Sequence, residues 1–450
     1  MNRRTFLQTA AGAGLLAPLA GAGRRPNVIV ILADDLGYAD VGFTGCKDYP
    51  TPHIDRLAKT GVRFTSACVS HPFCSPTRAG LMTGRYQHRF GHESNPVYDP
   101  QNEVAGLPTT EITIANVLSD AGYVTGQIGK WHLGAAPKFH PLRRGFKEQF
   151  GFIGGGHDYF KAETDNPKAR EYLIPIERNG KPVVESEYLT DAFSREAESF
   201  VRRHAKDPFF LYLAYNSPHT PQEAPQKYLD RVSGITDELR HKYAAMVCCM
   251  DDGIGRLSAA LDELKLNEDT LIFFLSDNGG PTPVTHADNR PFRGNKGQVY
   301  EGGIHVPFVA RWRGHLPEGQ TYGSPVISLD IFPTAAAVAG AKVPTDRPMD
   351  GVNLLPHVTG KGSPPPHDLL YWRTGGGDSF AVRQGNMKLV KVGDRTELYD
   401  LEADVGESKD LAQTRGDLLK RLDAAREKWS GQMIAPLFPN PPQARKKKGK

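Results

Sequence analysis

Val28-Ile29-Val30-Ile31-Leu32 is the stretch that most restricts what this chain can become. It is five residues long, wholly apolar and rich in β-branched side chains. A run like this without polar alternation reads as a strand covered on both faces, as in a parallel sheet between helices. The pattern recurs at Tyr123 to Ile128, Phe209 to Tyr215 and Leu271 to Leu275. Helical patterns lie between these runs. Thr51 to Leu57 opens a short helix closed by Gly61. Glu111 to Ala121 is a second, capped by Thr109 or Thr110 and ended by Gly122. Tyr188 to His204 is amphipathic, and Leu239 to Leu264 is long. This alternation predicts an α/β fold with a mixed, mostly parallel central sheet sandwiched by helices.

The texture changes near Pro364-Pro365-Pro366. Ala381 to Val392 and Glu397 to Leu401 read as short antiparallel strands, and Asp417 to Trp429 as a helix packing on them. The expected organisation is therefore a main domain over 23–365 and a small C-terminal α+β subdomain over 366–436. Residues 437–450 read as a disordered basic tail. Residues 1–22 read as a twin-arginine signal peptide: Arg3-Arg4 precedes an apolar, small-residue stretch, and Ala20-Gly21-Ala22 fits the cleavage pattern. The expectation is an exported protein, periplasmic or extracellular, carried by the twin-arginine machinery. No further apolar run reaches membrane length, so no transmembrane helix is expected.

Net charge is +4, but Arg445, Lys446, Lys447, Lys448 and Lys450 in the tail and Arg3 and Arg4 in the leader account for seven positive charges. Residues 23–444 are left at −3, which does not suit a nucleic-acid partner. The cysteines are Cys46, Cys68, Cys74, Cys248 and Cys249. None has zinc-site spacing, and no disulfide framework is expected.

Chemistry-bearing residues gather at strand ends, where ligands bind in open α/β sheets. Asp34-Asp35 follow the first strand and Asp277-Asn278 follow the Leu271 run. Four oxygen-bearing side chains suit a hard cation, Ca²⁺ or Mg²⁺, rather than zinc. Lys130 and His132 follow the Tyr123 strand, and His219 follows the Phe209 strand. Cys74-Ser75-Pro76-Thr77-Arg78 leads into a helix, with Pro76 and Thr77 as its expected start. A helix N-terminus plus the Arg78 fork suits an oxyanion.

The string Cys74 to Gly84 resembles the sulfatase signature, with Thr77 where Ser is usual and Leu81 one place early. Gly129-Lys130-Trp131-His132-Leu133-Gly134 resembles the family's second signature. Arg293-Gly294-Asn295-Lys296-Gly297 before Tyr300-Glu301-Gly302-Gly303 is also similar to a family pattern. The resemblance runs from about Asn27 to Ala412. It implies an alkaline-phosphatase-like fold and a sulfatase that cleaves a sulfate ester and releases inorganic sulfate through a sulfoenzyme intermediate. It implies Cα-formylglycine (3-oxoalanine) at Cys74, made by a formylglycine-generating or anaerobic sulfatase-maturating enzyme. It implies Ca²⁺ held by Asp34, Asp35, Asp277 and Asn278 with an oxygen of modified Cys74. Arg78, Lys130 and Lys296 would hold the sulfonate, and Asp277 would take the proton of the attacking hydroxyl. His219 would protonate the leaving group, with Lys296 able to share that role, and His132 would act as the later base.

For substrate, the chain looks more like carbohydrate sulfatases, including N-acetylgalactosamine-6-sulfatase-like enzymes, than an aryl enzyme; a small aryl sulfate stays open. The loop Gly154-Gly155-Gly156 ends in His157 and Asp158, and Arg89, His92 and Arg290 flank the motifs. These five are the candidate substrate-reading side chains. Two other readings stand beside the main one. One is a phosphoester or phosphonate hydrolase of the same superfamily. The other is a non-catalytic relative that binds sulfated glycans.

Overall fold

The first apolar run becomes the axis of the sheet. In the computed structural model, which describes residues 24–163, 170–360 and 363–439, the strand Asn27–Ala33 is buried at every position. It pairs in parallel with Phe209–Ala214 on one side and Thr270–Ser276 on the other. Ten strands complete the sheet. From one edge they are Gln320–Tyr322, Val62–Phe64, Phe308–Arg311, Thr270–Ser276, Asn27–Ala33, Phe209–Ala214, Val124–Lys130, Glu148–Phe152, Ile176–Arg178 and Lys181–Val183. The central strands are parallel, while Phe308–Arg311 and the hairpin Ile176–Arg178/Lys181–Val183 run antiparallel.

Side chains of the axial strand divide by parity, as a pleated strand requires. Ile29, Ile31 and Ala33 enter a core shared with Phe193, Phe200, Val247 and Leu257, from the helices Leu189–Arg203 and Glu238–Glu263. Val28, Val30 and Leu32 enter a second core with Leu81, Met82, Leu118 and Ala335, from Cys74–Thr83, Ile114–Asp120 and Ile331–Ala339. Each of the Val, Ile, Leu, Met and Phe side chains among them contributes about 1.5–3 kcal/mol by leaving water. Two helical layers therefore cover the sheet, and the ends of the parallel strands open at one edge.

Some boundaries differ from the sequence reading. The second helix spans Ile114–Asp120 and is capped by Thr113, not by Thr109 or Thr110. Thr113 Oγ1 accepts from Asn116 N at 3.1 Å, and Asn116 Oδ1 accepts from Thr113 N at 3.0 Å, forming a capping box. Glu111 N–H instead closes a turn onto the Pro108 carbonyl. All five cysteines are free thiols. Among the described residues, no helix is long and apolar enough to cross a membrane.

At the C-terminal end, Leu370–Thr374, Ser379–Gln384, Met387–Val392 and Arg395–Asp400 form an antiparallel sheet in sequence order. The helix Gly416–Ser430 packs on it through Leu422. The expected tail begins too early. Leu437 N–H donates to the Gly91 carbonyl at 2.9 Å, and the buried Phe438 ring lies 5.0 Å from that of His92. The rest of the tail, 440–450, and the expected leader, 1–22, lie outside the described residues.

A buried ionic network joins this small sheet to the main body. Lys388 Nζ lies 2.8 Å from Glu301 Oε1 and 2.9 Å from Glu407 Oε1. Glu407 Oε2 accepts from Glu301 N–H at 2.7 Å, and His305 Nδ1 lies 2.8 Å from Glu301 Oε2. Removing one partner of a buried network leaves an uncompensated charge. Lys388→Met is expected to cost about 3–5 kcal/mol in denaturant unfolding. A loss below about 1 kcal/mol would mean that Arg383 and His305 neutralise the glutamates without Lys388.

Candidate active site

Four neighbouring strands deliver their following residues to one edge of the sheet. Asp34 and Asp35 follow Ala33, and Asp277 and Asn278 follow Ser276. Lys130 is the last residue of Val124–Lys130, with His132 two residues on, and Asn216 to His219 follow Ala214. Gly129 permits this crowding. At φ +100° it sits where a Cβ would stand 1.9 Å from the Ala214 carbonyl oxygen, so no other residue fits.

Cys74 faces these strand ends from the first turn of the buried helix Cys74–Thr83. The helix starts at Cys74 rather than at Pro76 or Thr77, with Phe73 as an extended N-cap. The Cys74 Sγ atom lies 4.0 Å from Asp35 Oδ1. Arg78, one turn on, donates from Nε and Nη2 to Asp277 Oδ2 at 3.0 and 2.7 Å. Its Nη2 also lies 3.6 Å from Asp34 Oδ1. Lys130 Nζ donates to Asp34 Oδ2 at 2.7 Å, and Lys296 Nζ to Asp35 Oδ2 at 2.8 Å. His219 Nε2 lies 3.6 Å from Asp35 Oδ2. The structure thus brings together Cys74, Arg78, Lys130, His219, Lys296, Asp34, Asp35, Asp277 and Asn278 around one buried point.

His132 lies within reach of the charges of Lys130, Arg78 and Lys296, and it and Asp35 have left-handed backbones, at φ +58° and φ +67°. Non-glycine residues rarely hold that conformation, and surrounding structure must enforce it. Asp35 N–H donates to Asp277 Oδ1 at 3.2 Å, and His132 N–H to the Ile153 carbonyl at 3.1 Å. The His132 carbonyl accepts from Ser75 Oγ at 2.5 Å.

Burial and charge set the protonation states. Burial pushes the Asp277 carboxyl up to about 6, with Asp34 adding to the shift and Arg78 opposing it. Burial would also raise Asp35, but Lys296 and His219 bring it down to about 2. Burial pushes the Cys74 thiol up to about 12 against the pull of Lys130 and Lys296. His132 is held well below the usual imidazole range by burial and then by Lys130 and Arg78. Burial brings His219 down to about 3, against the attraction of Asp35. Both imidazoles are neutral at neutral pH.

The five residues expected to read substrate are placed otherwise. His157 is buried, with Nδ1 2.6 Å from the Asp158 carbonyl and Nε2 2.7 Å from the Ile174 carbonyl; both nitrogens hold backbone. Asp158 Oδ1 closes its own turn by accepting from Phe160 N and Lys161 N at 2.9 and 2.8 Å. Arg89 forms a fork with Asp350 at 2.7 Å on each side, beyond the far end of the Cys74–Thr83 helix. Arg290 is on an exposed loop, paired with Asp288, its side chain 84% exposed. His92 is buried behind the site, with Nε2 2.6 Å from Ser75 Oγ. The Ser75 hydroxyl has one proton and donates it to the His132 carbonyl, so His92 Nε2 donates to Ser75. His92 therefore positions Ser75, and through it the His132 backbone.

Sequence reasoning missed several supports. Tyr159 Oη donates to the Asn216 carbonyl at 2.5 Å and lies 2.8 Å from the His219 carbonyl, fixing that turn. Asn95 Oδ1 accepts from Ser75 N–H at 3.0 Å. Tyr172 has its ring 6.4 Å from that of His219. None belongs to a recognisable motif; a buried tyrosine just after a glycine run is the only local signal.

The residues present fit a hard divalent cation. Ligand atoms of Asp34, Asp35, Cys74 and His219 lie within 4.8 Å of one another. The buried oxygens Asp34 Oδ1 and Asn278 Oδ1 accept no hydrogen bond. Asp277, expected as a further ligand, is turned to Arg78, and the Asn278 amide nitrogen faces Asp35 Oδ1 at 2.7 Å.

Known proteins share this arrangement of chain and fold. The family model described as Sulfatase matches residues 26–341. N-acetylgalactosamine-6-sulfatase of Mus musculus is 36% identical over 397 residues, 83% of this chain and 73% of that protein. Arylsulfatase A of Homo sapiens is 36% identical over 405 residues, 83% of this chain and 76% of that one. A crystal structure of Ps i-CgsB in complex with k-i-k-neocarrahexaose superposes with a TM-score of 0.88 at 42% identity, covering 92% of this chain and 94% of that chain. The chain belongs to the sulfatase family and is a sulfuric ester hydrolase.

Proposed function

We propose that this enzyme removes sulfate from a sulfated carbohydrate, using formylglycine made from Cys74 and a Ca²⁺ ion. The observation that carries the reading is the convergence of Arg78, Lys130 and Lys296 on the carboxylates around Cys74, with His219 beside them and His132 within reach of their charges. The sugar is supported by similarity to a protein named N-acetylgalactosamine-6-sulfatase and to one crystallised with a neocarrahexaose.

A thiol held near 12 is protonated at neutral pH and is a weak nucleophile. Conversion of Cys74 to the aldehyde by a formylglycine-generating or anaerobic sulfatase-maturating enzyme replaces it with a hydrate bearing two hydroxyls. Arg78, Lys130 and Lys296 hold the sulfonate oxygens, where charge sits throughout the reaction. Asp277, with a carboxyl near 6, takes the proton of one hydroxyl as its oxygen attacks sulfur. The bond from sulfur to the leaving oxygen breaks, and His219 gives that oxygen its proton. Lys296 is close enough to share the role. His219 is neutral in the free enzyme, and an anionic ester beside it favours the protonated form. His132 then takes the proton of the second hydroxyl; the C–O bond breaks, sulfate leaves, and water rehydrates the aldehyde. Asp34, Asp35, Asp277 and Asn278, with an oxygen of modified residue 74, would hold Ca²⁺, which would supply positive charge to the site. Export by the twin-arginine machinery, which carries folded proteins, would let Cys74 be modified before the enzyme reaches the periplasm or the medium.

The two histidines are expected to separate by leaving group. A sugar alkoxide needs a proton far more than a nitrophenolate does. His219→Ala should slow sulfate release from a sulfated sugar by about 10²–10⁴-fold and from 4-nitrophenyl sulfate much less. His132→Ala should slow both alike and let a sulfated adduct of residue 74 accumulate, visible by intact mass. Equal leaving-group dependence in the two variants would contradict the assigned roles.

Metal removal gives a second check. Chelation should lower turnover, and Ca²⁺ should restore it better than Zn²⁺, because the expected ligands are hard oxygens. Full turnover in protein shown metal-free by elemental analysis would overturn the cation assignment.

A further inference from the structure

The run Gly154-Gly155-Gly156 is explained by what presses on it. A Cβ at Gly155 would stand 2.6 Å from His132 Nε2 and 2.9 Å from Glu171 Oε1. A Cβ at Gly156 would stand 2.6 Å from Cζ of the Tyr172 ring. Gly155 is therefore flattened between His132 and Glu171, and Gly156 lies flat against the Tyr172 ring. That segment is fastened at each step. Gly155 N–H donates to Glu171 Oε1 at 2.9 Å, Asp158 N–H to the Tyr172 carbonyl at 2.8 Å, and Leu173 N–H to the Arg170 carbonyl at 2.8 Å. The glycine run and the Asp158 turn, which read as sugar-binding in sequence, serve instead to seat an aromatic ring.

That ring is placed where selectivity has to arise. Arg78, Lys130 and Lys296 recognise the sulfonate, and every sulfate ester presents the same sulfonate. Discrimination must come from groups beyond the bridging oxygen, and His219 marks that side. The Tyr172 ring centroid is 6.4 Å from that of His219, with the planes 32° apart. The residue is 38% exposed, although its backbone is pinned. Tyr172 thus offers a fixed apolar surface beside a site of polar and charged groups. An aromatic face pairs well with the C–H face of a pyranose, because both are apolar and the sugar hydroxyls stay free at the rim.

We propose that Tyr172, seated on Gly156, is the platform on which the pyranose ring of the leaving group stacks, making it a specificity-determining residue. This rests on the reading that His219 protonates the leaving group of a sulfated carbohydrate. Losing the platform should weaken sugar binding and leave the sulfonate pocket as it was.

The test uses the full matured chain and sulfate release from N-acetylgalactosamine 6-sulfate and from a sulfated carrageenan oligosaccharide, followed on whichever is turned over better. Tyr172→Ala should raise KM about tenfold with kcat within about threefold. Inhibition by inorganic sulfate, which occupies only the sulfonate pocket, should stay within about twofold. Tyr172→Phe keeps the ring and should recover most of the lost affinity. A KM for Tyr172→Ala within about twofold of wild type, or a sulfate Ki rising in step with KM, overturns the proposal. A wild type that cleaves 4-nitrophenyl sulfate but neither sugar overturns the carbohydrate reading and this inference with it. That outcome is visible before any variant is made.

Discussion

Three buried carboxylates set against two buried cations, Arg78 and Lys130, and the half-buried Lys296 hold this site together. Asp34 meets Lys130, Asp35 meets Lys296, and Asp277 meets Arg78. Each alone would lose several kcal/mol of solvation on burial. Together they cancel, and the pocket around Cys74 is close to neutral. With a divalent cation bound, the same pocket would carry surplus positive charge, which suits a singly charged sulfate ester. The balance also tunes each member. Lys296 keeps Asp35 ionised, while burial, with Asp34 adding to it, holds Asp277 near 6, ready to exchange a proton.

The rest of the fold keeps these ions in register. Parallel strands bring Asp34, Lys130, His219 and Asp277 to one edge, and Gly129 allows its strand to lie against the Ala214 carbonyl. Lys296 comes from a loop, and the C-terminal sheet steadies that loop. Arg293 Nη1 donates to the Glu407 carbonyl and to Tyr399 Oη at 2.9 Å each, and Glu407 also holds the Glu301 N–H. A side chain in the active site is thus anchored by a network centred on Lys388, in a different sheet.

Much of this was legible in the chain. Val28 to Leu32 announced a doubly covered strand because nothing polar interrupts it, and Asp34-Asp35 and Asp277-Asn278 stood where strand ends put ligands. Ordered motifs identified Cys74, Arg78, Lys130 and Lys296. What failed depended on which partner each side chain takes, near or far in sequence. His157 looked like a sugar reader until two backbone carbonyls claimed its nitrogens, and Arg89 until Asp350 claimed its fork. Thr113 caps its helix because Asn116 answers it, which propensity alone does not reveal. Phe438 lies in a stretch of tail-like composition, yet it is buried against His92.

The proposed chemistry turns on the state of residue 74. Its thiol is buried and protonated, and every assigned role assumes that an aldehyde hydrate replaces it. Mass spectrometry of the tryptic peptide spanning residue 74, taken from sulfatase-active protein made in a host with a maturation enzyme, tests this most directly. The account predicts formylglycine at residue 74, in a fraction that rises in step with specific activity across preparations. A fully active preparation in which Cys74 remains an unmodified thiol would contradict it.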